Sequence, residues 1–138
     1  MRIYLDSSAL AKRALHESES EQLIDAVDDW ANEDAHTLYS STLAWVEIGR
    51  TIRASPSARD TWVEIDLVDV ALSGVSSYEI SDEVISLARR IAGPTLRSLD
   101  AIHLATATLI DADLVVAYDE RLIRSAIELG FVTSSPGR

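Results

Sequence analysis

The chain has 138 residues, a formal net charge of −11 and no cysteine. That length suits one domain with an ordinary core, and a hydrophobic content of 47% with a mean hydropathy of +0.07 excludes a disordered chain. The missing cysteines exclude disulfides and thiolate metal sites, and an isoelectric point near 4.5 is unlike a module that grips nucleic acid through a basic surface.

The opening Arg2-Ile3-Tyr4-Leu5 reads as a short buried strand ending at Asp6. No secretory signal or uninterrupted membrane-length apolar run is visible, so the expected address is the cytoplasm with no membrane contact. A helix from Ser8 to about Leu15 follows, then another over 17–31 with Leu23, Ile24, Val27 and Trp30 at helical spacing. His36 to Ser40 is the next strand. Ser41 or Thr42 caps a helix over 43–54, with Leu43, Val46 and Thr51 or Ile52 along one side, and Ser55-Pro56 stops it. The pattern predicts a further helix from about Ser57 to Leu72, carrying Trp62, Ile65 and Val68 or Asp69, with Gly74 as its C-terminal signal. Residues 75–80 read as a strand, 81–92 as a helix capped by Ser81 and ended by Gly93-Pro94, and 98–110 as another helix. A strand over 113–118, a helix over 120–129 and a closing strand over 130–133 complete one domain at 1–133. Residues 134–138 are expected to fray. Strands alternating with helices argue for an α/β fold whose mainly parallel sheet is covered on both faces.

In such a sheet, ligands bind beyond the carboxyl ends of the strands. Asp6 and Asp119 each follow a strand, so both end on one rim. Glu47 and Asp100 lie on helices among apolar neighbours, where an ionised carboxylate must point outward or be paired. Gathering four carboxylates requires a compensating charge. Mg²⁺ or Mn²⁺ prefers oxygen ligands and bridges to phosphate. Each acid also has a plainer role: Asp6 and Asp119 as helix caps, Glu47 as a partner of Arg50 or Thr51, Asp100 as a first-turn acid favoured by the helix dipole. Ser8 can bond a carboxylate or a phosphate, Ser7 can help cap the following helix, and His103 reads as a packed or orienting residue rather than a ligand. A haloacid-dehalogenase-type phosphatase has a second Asp where this chain has Ser8, and a receiver domain needs a late lysine where the chain's one lysine is Lys12.

At these residues the sequence resembles PIN-domain ribonucleases and, within them, the VapC toxins of type II toxin–antitoxin systems. "YLDSSALAK" is similar to the family's opening strand and turn, "SSTLAWVEIGR" to its second acidic segment, "LRSLDAIHLATA" to its third and "VVAYDERLIRSAIELG" to its fourth. The resemblance implies that Asp6, Glu47, Asp100 and Asp119 are the catalytic, metal-binding acids and that Ser8 is the small polar residue after the first. Many relatives have Thr or Ser two residues before the fourth acid, where this chain has Ala117. The implied fold is a three-layer sandwich with a mainly parallel five-stranded sheet flanked by helices, assembled as a homodimer. The implied activity is Mg²⁺- or Mn²⁺-dependent endonucleolytic cleavage of RNA, in which water attacks the phosphodiester in line and leaves 5′-phosphate and 3′-hydroxyl ends. A cognate VapB-like antitoxin that blocks the site is implied as partner. Arg13, Arg50 and Arg97, with Lys12 and Arg53, lie near the site segments and are candidate RNA contacts. The rival reading is a catalytically silent PIN-like protein-interaction module.

Overall fold

The computed structural model describes residues 1–33 and 36–138. In chain order the elements are β1 (Arg2–Leu5), α1 (Ser7–Ala14), α2 (Ser20–Asn32), β2 (Thr37–Ser41), α3 (Thr42–Arg53), α4 (Thr61–Leu72) and β3 (Val75–Tyr78). They continue with α5 (Asp82–Ala88), α6 (Ser98–Leu109), β4 (Leu114–Val116), α7 (Glu120–Glu128) and β5 (Thr133–Ser134). All strand pairs are parallel, in the order β3-β2-β1-β4-β5. The first strand is thus the middle one, with Tyr4 opposite Tyr39 on one side and Val115 on the other.

Alternation along a strand sends successive side chains to opposite faces, and here it divides the core in two. Ile3, Leu5, Leu114 and Val116 pack with α1 to α4, while Tyr4, Val115 and Ala117 pack with α6 and α7. The result is a three-layer α/β fold. Because the chain runs β1-β2-β3 toward one edge and then returns to place β4 on the other side of β1, strand order reverses between β1 and β4. A crevice beyond the carboxyl ends of those strands is the expected ligand position.

Several predicted boundaries move for local reasons. On α3 the buried stripe is Ala44, Ile48 and Ile52, four residues apart, and Val46 is exposed. The α4 helix begins at Thr61 because Asp60 caps it, accepting from the Val63 N–H at 3.0 Å. It is apolar on every side, so spacing does not select its inner face: Ala71 is buried and Leu67, Val68 and Leu72 pack inward, while Trp62 is 78% exposed. The helix over 81–92 closes at Ala88, and Ala92 turns to a φ of 58°. Gly130, at a φ of 91°, ends α7 and delays the last strand to Thr133.

Residues 134–138 are held by the domain rather than frayed. Ser134 belongs to β5, the Ser135 hydroxyl donates to the Ala117 carbonyl at 2.6 Å, and the Tyr118 hydroxyl donates to the Pro136 carbonyl at 2.8 Å. Arg138 donates to the Tyr118 carbonyl at 2.7 Å and pairs with Glu19 at 3.2 Å. These bonds clamp the turn that follows β4.

Candidate active site

The end of β1 fixes Asp6. Its N–H donates to the Val116 carbonyl at 3.1 Å, continuing the β1–β4 ladder, and its side chain then caps α1 by accepting from the Ala9 N–H at 3.0 Å. Ser8 completes the arrangement: its hydroxyl donates to Asp6 Oδ1 at 2.6 Å and accepts from the Tyr118 N–H at 2.9 Å. One hydroxyl therefore ties the acid after β1 to the turn after β4. Asp119 caps α7, its Oδ1 accepting from the N–H groups of Arg121 and Leu122 at 2.9 and 3.1 Å. The plainer role of both aspartates is thus present, yet capping draws on Oδ1 of each and leaves Oδ2 to other work.

Glu47 reaches the same rim from α3. Instead of pairing with Arg50, its Oε1 accepts from the Ser7 hydroxyl at 2.6 Å and lies 2.6 Å from His103 Nε2. On the other side of the imidazole, Nδ1 is 2.6 Å from the Tyr4 hydroxyl, which accepts the Ser41 N–H at 3.2 Å. Tyr4 and Glu47 thus bracket the imidazole at its two nitrogens, and the Ser41 N–H holds the far side of the Tyr4 oxygen. His103 and Tyr4 are buried, so this chain fixes Glu47 from beneath. Spacing reads His103 as a packed or orienting residue but gives no sign of Tyr4 in this role. Ser7 bonds Glu47, a contact 40 positions away that local capping rules do not anticipate.

The electrostatics follow from these positions. Burial pushes the Asp6 carboxyl upward; the charge of His103 and the bonds from Ser8 and Ala9 pull it back, the charge of Asp119 pushes again, and the net direction is up. Asp100, in the first turn of α6, is raised by burial and then by the charges of Asp119 and Glu47, against the opposing pull of His103 and Arg97. Burial alone would raise Glu47, but the bonds from His103 and Ser7 together with the His103 charge hold it below the ordinary carboxylate range. Tyr4 is raised by its burial.

A cleft of ≈ 360 Å³ opens at the rim, with Ser7, Ser8, Lys12, Glu47, Tyr118 and Asp119 among its lining residues. Lys12 donates to the Ser18 carbonyl at 2.9 Å and to Glu17 at 3.3 Å, and its ammonium lies 4.8 Å from the centre of the Tyr118 ring. Arg97 stands at the entry of α6, where its charge acts on Asp100. Arg50 is exposed on α3, one turn beyond Glu47.

Arg13 is placed elsewhere. It lies in the last turn of α1, which runs away from the rim, and its guanidinium donates to the Ala71 carbonyl of α4 at 3.0 Å in a cleft with Val27, Asp28 and Asp69. Sequence proximity to Asp6 gave it a candidate role at the acids; its face of α1 meets α2 and α4 instead, whereas Lys12, one residue earlier, lines the rim cleft. Ala117 is fully buried in the core with Tyr4 and Leu104, so its side chain supplies packing.

A family model described as PIN domain matches residues 3–128. The chain is 40% identical to ribonuclease VapC47 of Mycobacterium tuberculosis over 139 residues, covering 98% of this chain and 97% of that protein. It is 37% identical to ribonuclease VapC35 of the same organism over 142 residues, covering 99% and 98%. Among solved structures, VapBC2 from Rickettsia felis bound to a DNA fragment from their promoter matches with a TM-score of 0.75 at 13% identity, over 97% of this chain and 98% of that chain. Mycobacterium tuberculosis VapC20, a sarcin-ricin-loop-cleaving toxin, matches with a TM-score of 0.71 at 15% identity, over 97% and 99%. At those identities the structural likeness establishes the fold.

Proposed function

Because this chain belongs to the PIN-domain family, we propose that it is a divalent-metal-dependent endoribonuclease of the VapC kind, the toxin of a toxin–antitoxin pair. The feature that supports the reading is the position of the acids: Asp6 follows β1, Asp119 follows β4, and Glu47 lines one cleft with Asp119. The charge of Asp119 acts on Asp6 and Asp100, and the charge of Glu47 acts on Asp100, although the four come from separate parts of the chain. A fold keeps such repulsion when something cationic offsets it.

The donor set suits Mg²⁺ or Mn²⁺. It consists of carboxylate oxygens, and hard oxygen ligands suit either ion. Among the described residues no group of three histidine, aspartate or glutamate side chains is gathered about a point, so holding an ion would require these carboxylate side chains to rotate toward one another. Asp6, Glu47, Asp100 and Asp119 would hold the ion. When bound, such an ion supplies Lewis-acid charge that lowers the pKa of water and offsets phosphate charge.

The chain's own residues set the stage for in-line hydrolysis of an RNA phosphodiester. Glu47 is kept ionised and oriented by Ser7 and His103. Ser8 fixes Asp6 relative to the Tyr118–Asp119 turn. Arg97, whose charge acts on Asp100, and Arg50, one turn beyond Glu47 on α3, offer guanidinium groups for phosphate contacts, which planar bidentate donors make well.

A VapB-like antitoxin covering the rim, a homodimeric assembly and a cytoplasmic setting belong to the same reading. What supports the antitoxin is the similarity to VapC proteins together with a net charge of −11, which favours an arginine-bearing partner. Among the described residues no helix is long and apolar enough to cross a membrane. The test is cleavage of a mixed RNA pool by the purified chain with Mn²⁺ or Mg²⁺, with chelator, and with Asp6→Asn. Cleavage that needs the metal and Asp6 is expected. No cleavage, or cleavage indifferent to both, would leave the protein-interaction module as the better account.

A further inference from the structure

A second groove begins two residues beyond Asp119. Thr95, Leu96, Arg121, Arg124, Ser125 and Glu128 line a space of ≈ 390 Å³ between the segment leading into α6 and the first turns of α7. Arg121 and Arg124 are three residues apart on α7, so both guanidinium groups fall on one face. Both are exposed, and neither enters an ion pair among the described residues, Glu128 included. The backbone N–H of Arg121 donates to Asp119 Oδ1 at 2.9 Å, which fixes the start of this face against an acid of the site. At the other end of the groove lining, Leu96 precedes Arg97, whose charge acts on Asp100. Arg97 therefore acts on Asp100 and Arg121 adjoins Asp119, with Arg124 one turn further along α7.

In a chain carrying −11 overall, a polyanion meets long-range repulsion and needs local cations wherever it docks. Guanidinium groups left without carboxylate partners serve that purpose. We propose that this groove holds the phosphates of a single RNA strand next to the one being cut, with Arg121 and Arg124 as the phosphate-binding pair. Thr95 and Ser125 add hydroxyl groups to the lining, and the strand leaves the acids along α7. This rests on the nuclease reading above and adds to it a path for the substrate.

The test measures binding of a fluorescent single-stranded RNA of about 12 nucleotides to the Asp6→Asn protein, so that the strand stays intact, across a range of salt concentrations. Adding Arg121→Ala and Arg124→Ala together is expected to weaken binding about tenfold and to flatten the dependence of log affinity on log salt by about 1.4, the share of two single-strand phosphate contacts. In the otherwise native chain the same pair should raise KM more than it lowers kcat. Arg59→Glu, an exposed change outside both groove linings, alters net charge by the same amount and should have a much smaller effect. Equal weakening by Arg59→Glu would reduce the effect to overall charge and overturn the proposal, as would an unchanged salt slope in the double variant. Unchanged RNA binding with weakened binding of a polyglutamate peptide would assign the groove to an acidic protein segment and overturn it too. If the native chain cuts no RNA, the nuclease reading fails by that result alone, whereas normal cutting with an unaltered double variant removes only the groove.

Discussion

Replacing Asp6 by Asn separates the cost of holding a site from its use. Asp6 is 4% exposed, and burial and the Asp119 charge outweigh the pull of His103, Ser8 and Ala9 on its carboxyl. An acid whose native pKa lies above its unfolded value of about 3.9 destabilises the fold as pH rises from that value through the native one, and the deficit persists at higher pH. Asn is as good an N-cap as Asp and its Oδ1 can keep the bonds from Ala9 and Ser8, so the substitution removes the charge with little change of shape. Relief of desolvation and repulsion, less the lost attraction to His103, leaves a gain of about 1 kcal/mol at pH 7 without divalent ions. For a chain of this size that is a rise of about 3 °C in Tm. Thermal unfolding between pH 4 and 8 should show the two proteins converging at the acid end and separating toward neutrality. With Mn²⁺ at 100 times its Kd the native chain should gain about 2.7 kcal/mol that the variant lacks, reversing their order. A variant less stable at pH 7 in chelator, or a gain that does not vary with pH, would refute the reasoning.

Three further outcomes are expected. His103→Ala strips Tyr4 and Glu47 of a buried partner and opens a cavity, so urea unfolding should show a loss of about 2–3 kcal/mol. Glu47, held below its ordinary range, contributes stability that is present above its unfolded pKa of about 4.3 and is lost as pH falls through the native value; Glu47→Gln should flatten that part of the acid-unfolding curve. Gly137→Ala places a Cβ 3.0 Å from the Cβ and Cγ of Glu19 at a φ of 93°, so the 134–138 segment should loosen by about 1–2 kcal/mol, read as faster exchange of the Arg138 amide, which donates to the Ser135 carbonyl.

Much of the architecture was legible because the chain's local signals agree with its fold. The unbroken apolar run Ile3-Tyr4-Leu5 matches a sheet buried on both faces, and Asp6, Ser41, Ser81 and Asp119 all cap helices as hydroxyl and carboxylate residues before a helix commonly do. Where the pattern was ambiguous the reading slipped: α4 is apolar all round, and the inner stripe of α3 uses Ala44, which a search for large side chains passes over. The acids were visible as carboxylates at element ends or inside apolar helices. Their supports were not, because Tyr4 to His103 and Ser7 to Glu47 join residues 99 and 40 positions apart through side-chain geometry alone. Arg13 shows the opposite case, since closeness in sequence to Asp6 says nothing about which face of α1 a side chain occupies. The held tail was hidden for the same reason: Ser-Ser-Pro-Gly-Arg looks like loose polar chain until Tyr118 and Glu19 are beside it.

The central position of β1 also imposes a timetable on biosynthesis. This strand is translated before its neighbour β4, so one of its edges waits for residues 114–116, and contacts so remote in sequence are slow to form. Until that late stretch leaves the ribosome, Asp6 has no Val116 carbonyl to bind and Asp119 does not exist. A chain broken off before residue 119 therefore lacks the full set of acids, and any chemistry that needs all four must wait for that stretch.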